Sequence, residues 1–256
     1  MSELEIYMFP ALSDNYCFLI HDEDAQETAV IDTPDVAAIE RACEHTGWAL
    51  THIFNTHHHP DHAGGNLPLK EKFGCRIIGP RNEWRKIPGI DEKVGDGDVV
   101  RLGSHQARVF DVPGHTLGHI AYWFEDDRVA FVGDTLFALG CGRLFEGTPD
   151  QMWNSLQKLM ALPDDTTVYC AHEYTQANAR FALSVEPGNQ TLQARAREID
   201  AQRHRNEPTV PTNIGLEKAT NPFLRPDSPD LQETIGLTGA PLVDVFAETR
   251  RRKDNF

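Results

Sequence analysis

Basic side chains are scarce for a chain of this length. Among 256 residues there are 24 Lys and Arg against 39 Asp and Glu, a formal net charge of −15. Such a surface repels a phosphate backbone, so nonspecific nucleic-acid binding is disfavoured. Long hydrophobic runs are missing as well. Those present, such as Cys17–Ile20 and Val129–Val132, fall far short of the roughly 20 apolar residues of a membrane-spanning helix. The first ten residues include Glu3 and Glu5 and lack the basic-then-apolar layout of a secretory leader. Cysteine is sparse: Cys17, Cys43, Cys75, Cys141 and Cys170 are odd in number and form no CxxC pair. Free thiols in a reducing cytoplasm are the expectation. What remains, 40% hydrophobic and 25% charged residues, is the composition of a globular protein rather than a disordered one.

The charge is unevenly spread. Residues 1–173 carry the whole net charge of −15 and 11 of the 12 histidines, whereas 174–256 hold 11 basic and 11 acidic residues. Patterning changes at the same place. Before it, short apolar segments read as strands: Glu3–Met8, Tyr16–His21, Glu27–Ile31, His52–Phe54, Arg76–Ile78, Asp98–Leu102, Ala107–Val112, His119–Phe124, Val129–Val132 and Thr167–Cys170. Helical spacing follows Pro34, through Val36, Ile39 and Cys43, and recurs in Leu67–Phe73 and Gln151–Met160. After it, Tyr174–Ser184, Leu192–Asn206 and Ile214–Lys218 read as helices, punctuated by Pro187-Gly188, Pro208 and Pro211, with no strand series and no internal repeat. The expectation is an α/β body over 1–173 followed by a smaller helical domain over 174–256.

The densest chemical signal is Thr56-His57-His58-His59-Pro60-Asp61-His62. Imidazole nitrogen and carboxylate oxygen are ligands that a borderline divalent ion accepts. His57 and His59, two residues apart, point the same way in extended backbone. Asp61 and His62 can be aimed by a turn at a second ion. These are more ligands than one tetrahedral ion needs, which suggests a two-metal site. Three later segments each place one further candidate just past a strand, where α/β folds build their sites. They are Pro113-Gly114-His115-Thr116, Gly133-Asp134-Thr135 and Ala171-His172-Glu173.

Taken in this order, the segments resemble the metallo-β-lactamase superfamily and, more closely, its glyoxalase II (hydroxyacylglutathione hydrolase) family. The resemblance runs nearly end to end. It includes Pro10–Tyr16, Gly133–Phe137, Gly140-Cys141-Gly142-Arg143-Leu144-Phe145-Glu146-Gly147, His172–Thr175 and Arg250-Arg251-Arg252-Lys253-Asp254. It implies a metallo-β-lactamase αββα sandwich followed by a C-terminal helical domain that binds glutathione. It implies two divalent ions, zinc first, with iron or manganese also acceptable. His57, His59 and His115 would hold one ion, Asp61, His62 and His172 the other, and Asp134 both. His58 would point away, and His119 would support the site rather than ligate. Arg143, Tyr174, Arg250 and Lys253 would contact the glutathione moiety. Arg143 stands where many relatives carry lysine, which keeps the charge. Phe145 stands where some carry tyrosine, which removes a hydroxyl.

The implied reaction is hydrolysis of an S-(2-hydroxyacyl)glutathione, typified by S-lactoylglutathione, to a hydroxy acid (lactate) and glutathione, the second step of methylglyoxal detoxification. Two ions ~3.5–4 Å apart can share a hydroxide as nucleophile at neutral pH. A thiolate, whose parent thiol titrates near about 8.5, departs without a strong general acid. Catalytic roles fall to Asp61 and Asp134. Glutathione is a net anion, and Arg suits its carboxylates bidentately. The partner expected is this small thioester, with no nucleic acid, no membrane and a monomeric chain. Other readings fit less well. A Cys141 nucleophile has no His/Asn arrangement of its own, and no nucleophile-elbow motif supports a serine triad. The persulfide dioxygenase of the same superfamily lacks this kind of tail, and many β-lactamases place a cysteine where Asp134 stands. A nuclease of this fold is opposed by the charge, and a non-catalytic metal-binding module is the plainest alternative.

Overall fold

The computed structural model describes residues 3–256, so Met1 and Ser2 of the segment screened for a leader lie outside it. The chain divides into two compact units, Met1–Asp111 with Thr116–Gly133, and Val112–His115 with Asp134–Phe256.

The first unit holds strands β1 (Glu5–Ala11), β2 (Asn15–Asp22) and β3 (Glu27–Ile31), helix α1 (Val36–Thr46), β4 (His52–Phe54), helices α2 (Pro60–Ala63) and α3 (Asn66–Phe73), and strands β5 (Arg76–Pro80), β6 (Glu92–Val94), β7 (Val99–Leu102), β8 (His105–Asp111), β9 (Ile120–Phe124) and β10 (Val129–Gly133). One sheet runs β1-β2-β3-β4-β5-β6. Its first three strands are antiparallel and the next three join in parallel. The strands β10-β9-β8-β7 follow one another antiparallel.

The two sets of strands face each other through Phe18 and Phe131 (ring centroids 5.5 Å apart) and Phe54 and Tyr122 (5.4 Å). On β2 the odd residues Cys17 and Leu19 join Ile39 and Cys43 of α1 and Leu69 of α3 in a separate apolar cluster. The strand is thus buried on both faces, which is why it reads as a continuous apolar run rather than an alternating one. Asp35 caps α1 by accepting from Ala38 N, and Gly47 closes it at φ +77°, the backbone region that glycine enters at least cost.

The second unit holds the two-stranded ribbon β11 (Leu136–Phe137) and β12 (Gly140–Cys141), helix α4 (Pro149–Met160), β13 (Thr167–Cys170), helices α5 (Thr175–Val185) and α6 (Gln190–His204), β14 (Thr212–Asn213), and helices α7 (Ile214–Thr220), α8 (Pro229–Ile235) and α9 (Leu242–Asp254). Thr148 and Gln151 form a reciprocal capping box at the start of α4. All five cysteines are free and buried.

Two expectations need correction. The histidine stretch contains a helical turn, α2, with Pro60 at its first position, where a missing N–H costs nothing. The tail contains a two-residue strand, β14, pairing Thr212 with Val168 and Asn213 with Thr167. The Arg/Lys run forms the last turn of α9, whose buried face is Val245, Phe246, Thr249 and Arg250. Two of those four positions are polar, which hid the apolar stripe from a periodicity search.

Candidate metal centre and substrate face

In the first unit the donors come from one contiguous segment. β4 ends at Phe54, and Asn55-Thr56 deliver His57, which is fully buried. His57 Nε2 lies 3.0 Å from His59 Nδ1. His62 Nε2 lies 3.5 Å from Asp61 Oδ2, and the rings of His57 and His62 are 4.0 Å apart. Asn15 on β2, within the Pro10–Tyr16 segment, donates to Asp61 Oδ2 at 3.3 Å. His58 pairs instead with the buried Glu83 at 3.1 Å, and His119 stacks on His57 at 4.7 Å.

One residue that the sequence reading left without a role organises this segment. Asp32, just past β3, sits at φ +59°, a costly conformation for a residue with a Cβ. Its Oδ1 accepts from Thr56 N at 2.8 Å, and its Oδ2 accepts from the Thr56 hydroxyl at 2.7 Å. With its proton so used, Thr56 Oγ1 can only accept from His57 Nδ1, 3.1 Å away. His57 Nε2 therefore carries no proton. Asp32 Oδ2 also meets His62 Nδ1 at 2.8 Å, so His62 too carries its proton on Nδ1 and presents Nε2 as a lone pair. Asp32, His57 and His62 are close enough to hold an ion together. Since both Asp32 oxygens are committed to donors, Asp32 fixes ligands rather than serving as one. An acid at a strand end is a weak sequence signal, and only the contacts single it out.

The second unit carries three further donors, each from a different strand end. His115 Nδ1 donates to the Arg143 carbonyl at 2.9 Å, which turns a bare Nε2 toward Asp134 Oδ2 at 3.3 Å. His172 Nε2 lies 3.4 Å from the other oxygen, Asp134 Oδ1. The buried Asp134 carboxylate thus presents one oxygen to each of two imidazoles. Gly142 allows this: a Cβ there would collide with the Asp134 carbonyl oxygen. The donor chemistry of both units fits divalent cations. Imidazole and carboxylate groups converge, and for His57, His62 and His115 the remote ring nitrogen is fixed by an acceptor.

Around these three donors lie the residues expected to meet substrate. Tyr174 stacks parallel on His172, with centroids 4.7 Å apart. Phe145 is 64% exposed and packs edge-on to His115 at 5.2 Å. The Arg143 side chain is 65% exposed, with Nε 3.9 Å from Asp254. Arg250 is only 5% exposed. It donates to the Cys141 carbonyl at 2.7 Å and to Asp254 at 2.8 Å. Lys253 reaches the Ala177 carbonyl at 3.3 Å. Burial, aided by Arg250, Arg180 and Arg143, pushes its pKa down to about 8. Burial pushes the Cys141 thiol up to about 11 despite the Arg250 guanidinium, which argues against a catalytic thiolate.

The fold and these donors define a metallo-β-lactamase domain: the family model described as "Metallo-beta-lactamase superfamily" matches residues 13–172. A second, "Hydroxyacylglutathione hydrolase C-terminus", matches 173–256. A hydroxyacylglutathione hydrolase of Maricaulis maris is 58% identical over 256 residues, spanning 100% of both chains. One of Methylococcus capsulatus is 54% identical over 253 residues, covering 99% of each. The chain belongs to the hydroxyacylglutathione hydrolase family, and is an enzyme with the αββα metallo-β-lactamase fold followed by a helical C-terminal domain. Among solved structures, that of ETHE1 from Myxococcus xanthus matches with a TM-score of 0.67 and 26% identity, covering 100% of both chains.

Proposed function

We propose that this chain hydrolyses S-(2-hydroxyacyl)glutathione thioesters, S-lactoylglutathione foremost, releasing the hydroxy acid and glutathione. The observation that carries the reading is the Asp134 carboxylate, with one oxygen toward His115 and the other toward His172, the posture of a carboxylate shared by two cations. His57, His59 and His115 would hold one cation, Asp61, His62 and His172 the other, and Asp134 both. Zinc is the first expectation, and the same donors accept iron or manganese. When bound, such cations would supply Lewis-acid charge and lower the pKa of water toward about 7.

The chain's own groups do the rest. Asn15 holds the Asp61 carboxylate, which orients the attacking water and accepts its proton. The leaving thiolate needs no strong acid, in keeping with the absence of an obvious one among the residues gathered. Arg143 and Lys253 would place positive charge toward the glutathione carboxylates; Arg250, expected at the same face, holds the Cys141 carbonyl and Asp254. Tyr174, stacked on His172, would contact the glutathione moiety, and Phe145 offers a face without a hydroxyl. We assign the catalytic domain to 1–173 and the glutathione-binding domain to 174–256. No helix among the described residues is long and apolar enough to cross a membrane, and we place a monomeric enzyme in the cytoplasm.

The test is loss of the thioester absorbance of S-lactoylglutathione, with and without chelator, beside oxygen uptake on glutathione persulfide. Chelator-sensitive thioester loss is expected. Oxygen uptake without thioester loss would overturn the reading.

A further inference from the structure

The segment from Asp134 to Arg143 contains the ribbon β11–β12, whose strands pair with each other and whose turn is further held by side chains from α5, α9 and the C-terminal end of α7. Asn221, just past α7, donates to the Phe137 carbonyl at 3.2 Å and to the Gly140 carbonyl at 2.9 Å. Asn178 of α5 donates to the Ala138 carbonyl at 3.1 Å. Glu217 of α7 accepts from Leu139 N at 2.9 Å through Oε2, and Arg250 of α9 donates to the Cys141 carbonyl at 2.7 Å. All four side chains are buried. Asn221 and Glu217 also bond to each other at 2.9 Å. The second oxygen of Glu217 takes the Thr212 hydroxyl at 2.6 Å and Arg195 Nη2 at 2.5 Å, so this carboxylate is fully committed.

The turn they hold is strained. Leu139 sits at φ +58°, where a leucine persists only if its surroundings impose the conformation. The ribbon lacks room as well: a Cβ on Gly140 would come within 2.5 Å of Asn178 Nδ2. One end of the segment carries Asp134, between His115 and His172. The other carries Arg143, whose carbonyl fixes His115. A shift of the turn must therefore move a metal-facing carboxylate, the tautomer-setting partner of a histidine, and a substrate cation together.

We propose that Asn221, Glu217 and Asn178 are positioning residues of the thioesterase reaction: they hold the Phe137–Cys141 turn in its strained form and thereby set Asp134 and Arg143. None of them would touch substrate or cation. The proposal rests on the hydrolase reading above, which the wild-type assay judges separately.

The experiment compares full-length metal-loaded wild type with Asn221→Asp and Asn178→Ala, each well below its own Tm. Asn221→Asp keeps the shape but sets a second carboxylate against Glu217 and two carbonyls. Asn178→Ala removes one bond. For Asn221→Asp we expect kcat down by at least about 10-fold and KM up several-fold, since misplacements near 1 Å cost up to about 100-fold. We also expect weaker metal retention on dialysis against a chelator, and faster amide exchange in a 137–143 peptide with α6 still protected. Asn178→Ala should move the same four readouts less, with kcat down about 3-fold. If Tm falls while kcat, KM, metal retention and exchange stay within twofold of wild type, the residues merely stabilise the fold and the proposal is overturned. If Asn221→Asp does not fold, Asn178→Ala decides by the same criteria. If wild type leaves the thioester intact, the functional reading fails, and metal retention and exchange still judge the clamp.

Discussion

The two units assemble their donors in opposite ways. In the first, His57, His59, Asp61 and His62 come from six consecutive residues, and one carboxylate, Asp32, sets the tautomers of two of them through contacts of 2.7 to 3.1 Å. In the second, His115, Asp134 and His172 come from three separate strand ends. The alignment of Asp134 depends on a strained ribbon bonded by helices much later in the chain. A contiguous motif is secured by a few direct partners, Asp32 and Asn15. A dispersed triad needs the packing of a whole unit, and disturbance at many distant positions should reach it.

That contrast can be broken by experiment. The largest effect should come from Asp134→Ala: both cations are lost, and kcat falls by about two to three orders of magnitude, in the range seen when a principal transition-state stabiliser is removed. Metal analysis on the purified variant checks it, and two retained ions with full activity would rule out the shared role. Next is Asp32→Asn, which keeps the volume but no longer matches three donors to one carboxylate. About 10- to 100-fold weaker metal binding is expected, as for other outer partners of metal-bound histidines, measured by competition with a chromophoric chelator. Unchanged affinity would show that the loop holds itself and that the contrast between units is misplaced.

The smallest effect concerns Lys253. Its neighbours are Arg250 and Asp254 on its own helix and Arg143 and Arg180 beyond it, and burial with this mainly cationic company lowers its pKa to about 8. Its charged form is therefore lost as pH rises through about 8, so kcat/KM for an anionic glutathione thioester should decline above that pH. Stability has the opposite sign. The unfolded chain keeps the lysine proton up to about 10.4, so this group's contribution favours folding more as pH climbs between the two values. Lys253→Met should raise KM several-fold, leave kcat within about twofold, and abolish the alkaline break; interactions worth about 1 kcal/mol change affinity roughly fivefold. A break that persists in the variant would assign it to another group.

Much of the first unit was legible because its signals are local. His52–Phe54 and Glu27–Ile31 form strands with the expected bounds, since short β-branched and aromatic runs between turn residues have few alternatives. Helices α8 and α9 were not foreseen. The buried face of α9 includes Thr249 and Arg250, whose polar groups are paid for by partners such as the Cys141 carbonyl, and a hydrophobic period cannot register a polar residue buried with its partner. The same applies to Asp32, Glu217 and Asn221. Each is an ordinary acid or amide in the sequence, and each acquires a role only through what it bonds.

Residue chemistry by itself determined the donor types, the acidic excess of residues 1–173, and the family to which the chain belongs, because ligand identity and charge are properties of side chains in order. Tertiary structure alone decided which nitrogen of His57, His62 and His115 is bare, that Asp134 offers an oxygen to each of two histidines, and that Arg250 is spent on a backbone carbonyl. Those outcomes depend on hydrogen-bond direction and burial, which arise only when residues distant in sequence are packed within about 3 Å of one another.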